Sequence, residues 1–312
     1  MRALILTILW ALGLTTPALA AAPEPILAAG TPPLAWLAGR VAGQPVLALS
    51  GPGQNPHTFE PSPKQAAQLA GAKVYFSLDL PFEEKLLPKV AAANPGLKVV
   101  DLADGLDLMP AAEHGHETEG PAHGPTKAEP GHGGSQAGAG HGHHHGQGEL
   151  DRHVWMSPRL CQDLARTMAR ELSALWPDKA AAIQANLEAL LADLNAVDQE
   201  LSAQLKPFAG REFMVYHPAF GYFARDYGLK QVAVETGGKE PGPRHLARLI
   251  KQARQHGVKV IFVQPQFPQK SAQQVAREIG GVVEPLDDLS PEPLANWRRM
   301  AESLVRGLAG GR

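Results

Sequence analysis

Short apolar runs alternate with stretches of helical period over most of the chain. Residues 26–29 form an apolar strand pattern, and positions 33–42 carry helical spacing. Strand patterns at 46–49, 74–78 and 97–102 are separated by helical ones at 63–70 and 82–92. The alternation returns after Arg211, with strands at 213–216, 231–234, 258–263 and 282–283 and helices at 219–227, 243–255, 272–279 and 293–308. Strands that alternate with helices make βαβ units and mainly parallel sheets, so the pattern predicts two α/β lobes.

Two helical stretches lie between the halves. Ser157-Pro158 reads as an N-cap followed by proline at the first helical position, opening a helix that runs to Trp176. The next runs over 177–206, with Ile183, Leu187, Leu190, Leu191, Leu194, Val197, Leu201 and Leu205 three or four residues apart, as one buried stripe requires. At about 1.5 Å per residue it is a rod roughly 42 Å long, the span of a small domain. The expected organisation is therefore a lobe over 21–176, a single linking helix over 177–206 and a second lobe over 207–312.

Two segments depart from this plan. Met1-Arg2, an apolar run over 3–14 and Ala18-Leu19-Ala20 have the parts of a secretory signal peptide spanning 1–20, cleaved near Ala20. The run is too short to cross a bilayer, so the mature chain is expected to be exported without membrane insertion. With no cysteine near the cut, no lipid anchor is expected there; the only cysteine, Cys161, falls in a helical pattern and reads as a small core residue. Positions 111–149 contain no Leu, Ile, Val, Phe, Tyr or Trp. Such a segment buries too little apolar surface to offset the entropy of ordering and is expected to be a disordered insertion.

Composition narrows the chemistry. Among 312 residues, 29 Lys and Arg oppose 31 Asp and Glu, and this near-neutral balance gives no electrostatic footing for a nucleic-acid partner. A single cysteine rules out an internal disulfide or a site built on paired cysteines. Histidine is plentiful, at 13, and clustered. His114, His116, His123, His132, His141, His143, His144 and His145 all lie in the insertion, a nitrogen-rich tract suited to weak binding of zinc, nickel or copper.

Of the other five, His245 and His256 sit within and at the end of a helix and are read as ordinary. His57 follows the strand at 46–49, His217 ends the strand at 213–216, and His153 immediately precedes a helix. Open α/β sheets bind ligands beyond the carboxyl ends of their strands, so His57 and His217 are aimed at the usual site.

Three motifs then carry a resemblance: Asn-Pro-His-Thr-Phe-Glu-Pro-Ser-Pro at 55–63, His-Val-Trp-Met-Ser-Pro at 153–158 and Tyr-His-Pro-Ala-Phe-Gly-Tyr-Phe at 216–223. In this order they resemble the histidine motifs of the metal-binding solute-binding proteins of bacterial ABC importers, the zinc and manganese group. Glu240-Pro241, Gln264-Pro265-Gln266-Phe267 and Leu286-Asp287-Asp288-Leu289 are similar to further segments of that family. The resemblance covers the whole mature chain. It implies two α/β lobes joined by one long helix, with the metal in the cleft between them. It also implies His57, His153 and His217 as ligands, with Asp287 as a fourth. Asp288 stands where the family usually has proline, which leaves open whether Asp287, Asp288 or a water completes the set.

Within the family, a histidine-rich loop before the second ligand is typical of the zinc branch, and imidazole suits zinc better than manganese. The resemblance therefore implies periplasmic capture of Zn2+ by a monomer and delivery to a membrane permease with its ATPase. Glu60, on the His57 loop, is expected to accept the other ring N–H of a ligating histidine. A manganese- or iron-binding protein of the same fold is one alternative. The other is a three-histidine zinc hydrolase, since three imidazoles and a water also make a catalytic zinc.

Overall fold

The structure, a computed structural model, describes residues 25–111, 150–235 and 238–310. In the first lobe, strands β1 (Ile26–Ala29), β2 (Leu47–Ala48), β3 (Ala72–Ser77) and β4 (Lys98–Asp101) form one parallel sheet in the order β2-β1-β3-β4. Helices α1 (Pro32–Ala42), α2 (Pro63–Ala70) and α3 (Pro81–Ala93) connect them. Each of these helices opens with a proline in its first turn, where the missing N–H has no intrahelical acceptor to lose. Ser62 caps α2, accepting the N–H of Gln65 while the Gln65 side chain accepts the N–H of Ser62.

Helix α4 (Pro158–Leu175) follows a 3-10 turn over Val154–Met156, and α5 (Ala180–Leu205) carries the linking segment, lengthened by 3-10 turns at Pro177–Lys179 and Lys206–Phe208. The second lobe repeats the plan of the first. Strands β5 (Glu212–Val215), β6 (Lys230–Ala233), β7 (Val260–Val263) and β8 (Val282–Pro285) pair in parallel in the order β6-β5-β7-β8. Helices α6 (Gly221–Asp226), α7 (Pro243–Gln255), α8 (Lys270–Glu278) and α9 (Pro293–Ala309) complete it.

The predicted stripe of α5 is buried at Ile183, Leu187, Leu190, Leu194, Val197, Leu201 and Leu205, while Leu191 lies at its margin. This stripe belongs to one hydrophobic cluster running from Leu27 and Phe76 of the first lobe to Phe213, Trp297 and Leu304 of the second. At about 1.5–3 kcal/mol for each large apolar side chain fully buried, the helix ties both lobes into one core rather than bridging them through solvent. A second cluster, including Met214, Val234, Leu249 and Ile261, packs within the second lobe. Cys161 is buried in the first, its Sγ 3.6 Å from the Trp155 carbonyl, and burial pushes its thiol far up, so it is inert packing.

In both sheets the connections leave the two central strands in opposite directions. The carboxyl ends of β1 and β3, and of β5 and β7, are therefore switch points, where a crevice opens. Among the described residues, no helix is long and apolar enough to cross a membrane.

The segment around Met109 meets that around Asp151 at a narrow neck. Pro110 and Leu150 form an antiparallel bridge, and the Asp151 N–H donates to the Met109 carbonyl at 2.9 Å. Tyr222, from α6 of the second lobe, closes the neck: its hydroxyl accepts the Met109 N–H at 3.0 Å and donates to the Asp151 carbonyl at 2.7 Å.

Candidate metal centre

The three histidines reach one place from three different loops. Beyond β2, the Asn55 side chain accepts the His57 N–H at 2.9 Å, an Asx turn that presents the imidazole. Phe59 anchors the same loop in the core against Phe82, with ring centroids 5.1 Å apart. His153 leads into the Val154–Met156 turn, and Ser157 then caps α4 by accepting the Leu160 N–H. His217 leaves the carboxyl end of β5, at the second lobe's switch point.

Nε2 of His153 lies 3.2 Å from Nε2 of His57 and 3.2 Å from Nε2 of His217. One ligand atom from each of the three residues falls within a common 4.8 Å. Zinc–nitrogen bonds of about 2.0–2.1 Å place neighbouring corners of a tetrahedron about 3.3–3.4 Å apart, so two edges of the triangle already have a zinc spacing. His153 and His217 are buried, whereas His57 is exposed.

Two carboxylates set the ring orientations. Asp151 Oδ1 accepts both the His153 N–H at 2.9 Å and a hydrogen bond from His153 Nδ1 at 2.7 Å. Glu235 Oε1 accepts from His217 Nδ1 at 2.5 Å, and Glu235 is itself buried. An ionised carboxylate can only accept, so each Nδ1 carries the proton and each Nε2 turns its lone pair toward the shared point. The Phe267 ring stacks on His217 at 4.8 Å and an interplanar angle of 23°. The cleft around the group has a volume of about 480 Å³ and is lined from both lobes, by His57, Asp79 and Leu80 on one side and His217, Glu235 and Phe267 on the other.

Other expected residues fall elsewhere. Glu60 is exposed, and the carboxylates that meet the two buried imidazoles are Asp151 and Glu235, which converge on them in space. Asp287 stays outside the three-histidine group, its Oδ1 turned back to accept the Leu289 N–H at 2.8 Å. The carboxylate buried at this turn belongs to Asp288, where Gln266 Nε2 donates to Oδ1 at 2.7 Å and the Asp288 carbonyl accepts the Trp155 indole N–H at 2.8 Å. Burial pushes the Asp288 carboxyl up to about 6, with Asp287 adding to the rise and Gln266 and His153 opposing it. His245 faces Arg248 and His256 faces Glu212, both away from the group. The eight histidines from His114 to His145 and the signal segment 1–20 lie outside the described residues.

Sequence reasoning passed over Asp151 and Glu235. Asp151 was within reach as a carboxylate two positions before a candidate ligand. Glu235 is 18 residues from His217 and meets it only because β6 lies beside β5 in the sheet.

Comparison with known proteins bears on what such a site does. The family model described as zinc-uptake complex component A, periplasmic, matches residues 27–311. The high-affinity zinc uptake system protein ZnuA of Bacillus subtilis is 31% identical over 238 residues, covering 75% of this chain and 68% of that protein. The zinc-binding lipoprotein AdcA of Streptococcus pneumoniae serotype 4 is 30% identical over 256 residues, covering 78% of this chain. The chain spans about half the length of AdcA, 46% of it. A crystal structure of ZnuA superimposes with a TM-score of 0.78 at 32% identity, covering 91% of this chain and 99% of that one.

Proposed function

The chain belongs to the zinc-uptake complex component A family, and from that premise we propose that it captures zinc in the periplasm and delivers it to the permease and ATPase of an ABC importer. His57, His153 and His217 are the ligands in this reading, and the observation that carries it is the approach of their three Nε2 atoms to one point. Asp151 and Glu235 hold two of the rings in the ligating tautomer. A water from the cleft completes the set in this reading, since neither Asp287 nor Asp288 joins the three-histidine group. Neutral imidazole is a borderline-soft nitrogen donor, which favours zinc over manganese. The similarity of the chain to proteins named for zinc uptake and zinc binding supports the same metal.

Two ligands precede the linking helix and one follows it, so zinc ties the first lobe (21–176) to the second (207–312) across the 177–206 rod. Capture and release then proceed by movement of loops such as the exposed His57 turn, because the core shared through α5 resists separation of the lobes. The reading is binding by a monomer, without turnover. The histidine-rich tract supplies further, weaker sites whose tethering raises zinc concentration near the cleft.

Competitive titration of zinc and manganese against a chromophoric chelator tests the assignment. One tight site per chain, filled by zinc in preference to manganese, is the expected result. A preference for manganese would overturn it.

The site also has a predictable response to acid. Burial disfavours charge on His153, but Asp151, and beyond it Asp288 and Glu235, outweigh that penalty and raise its pKa above the ordinary 6.5. A protonated imidazole cannot ligate, so zinc affinity should hold above this raised pKa and fall as the pH drops through it. The decline should thus begin before free imidazole would start to take up protons. Repeating the titration over a descending pH series reads this directly, and an affinity independent of pH would exclude histidine ligation.

A further inference from the structure

We propose that Gln264 is a positioning residue for His217, its side-chain amide standing in for a backbone partner where the β5–β7 ladder ends. The parallel ladder pairs Met214 with Ile261 and Val215 with Phe262, and the Tyr216 N–H donates to the Phe262 carbonyl at 2.7 Å. At His217, one residue further, Gln264 continues the rung with its side chain. Its Nε2 donates to the His217 carbonyl at 2.6 Å and its Oε1 accepts the His217 N–H at 3.2 Å. Gln264 is 1% exposed, so water does not compete for either bond. Its own carbonyl accepts the Phe267 N–H at 3.1 Å, closing the turn that lays the Phe267 ring on the His217 imidazole. One short loop after β7 therefore grips the backbone and the ring of the same residue.

The requirement is specific to a carboxamide of this length. A carboxylate would set an oxygen against the His217 carbonyl oxygen, methionine would offer neither donor nor acceptor, and asparagine is one methylene too short. Because both of its polar atoms are committed to His217, Gln264 is withdrawn from coordination although it stands at the switch-point crevice, where ligands are expected. The loop thereby fixes an imidazole in the site and adds no oxygen donor of its own. That bias favours zinc over cations that prefer oxygen ligands.

The inference rests on His217 being a zinc ligand, and the test separates the two claims. Wild type, Gln264→Met, Gln264→Glu and His217→Ala are compared by zinc titration and by the visible absorption of the cobalt(II)-loaded protein, which reports coordination geometry. Gln264→Met should weaken zinc binding by about tenfold or more, the scale for partners that orient a ligand, and should change the cobalt spectrum. Gln264→Glu should bind more weakly still. A role in filling space would leave Gln264→Met like wild type in both readouts, and that result overturns the proposal. If His217→Ala kept the wild-type affinity and spectrum, the zinc-site reading would itself fall. Should Gln264→Met not fold, hydrogen exchange at the His217 amide of the wild-type protein decides: protection like that of the β5 interior is expected, and exchange at the rate of an open loop overturns the role.

Discussion

Replacing His153 with alanine should weaken zinc binding by more than about a hundredfold, since loss of an orienting partner alone costs 10–100-fold and this substitution removes a proposed ligand. His153 should be the most damaging of the three because it is the hub, with its Nε2 3.2 Å from the Nε2 of both His57 and His217. The substitution also leaves Asp151 as a buried carboxylate without the Nδ1 proton it accepts, adding a local cost. Titration against a competing chelator, with circular dichroism to show that the fold persists, measures the effect. Retention of wild-type affinity would mean that the metal is not held where these rings meet.

The second large effect concerns stability. Glu83 is fully buried and accepts four hydrogen bonds, from the Tyr75 hydroxyl at 2.7 Å, the Ser77 hydroxyl at 2.8 Å and the N–H groups of Leu78 and Leu80 at 3.1 and 2.9 Å. Burial raises its carboxyl above the ordinary range and these donors pull it back. This network holds the turn after β3, in which Asp79 adopts φ 59°, a left-handed conformation that aspartate tolerates better than most residues. Asp79 and Leu80 then line the metal cleft, and Asp79 pairs with Arg152, the residue before His153. Glu83→Ala orphans four donors, so it should destabilise the protein by about 3 kcal/mol or more, read by chemical denaturation. A loss near zero would show that the turn does not depend on Glu83. Gly30 belongs to the same arrangement, because a Cβ there would stand 2.3 Å from Glu83 Oε1.

The sequence carried the fold because local signals and tertiary demands agree. Prolines mark the starts of α2 and α7 at Pro63 and Pro243 as read from sequence, and the strands were placed within one or two residues of their positions. Strand β2 is shorter than its apolar run, since only Leu47 and Ala48 pair with β1. The three histidines were legible from their placement beyond strand ends and before a helix. Their supports were less so. Glu60 shares a loop with His57 but is exposed, while Glu235 shares nothing with His217 except adjacent strands. The Asp287–Asp288 pair shows the limit most plainly, since consecutive residues face opposite ways and only the path of the turn decides which carboxylate is buried. Gln264 was visible as part of a family-like segment, but its grip on the His217 backbone was not, because that role satisfies a backbone that sequence does not display.

The neck at Met109 and Asp151 has a consequence for how this chain can vary. Its two rims are fastened to each other and, through the Tyr222 hydroxyl, to the opposite lobe, so the framework does not depend on what is strung between them. Changes of length between the rims should therefore leave the geometry of the cleft, which Leu150 and Asp151 line, as it is.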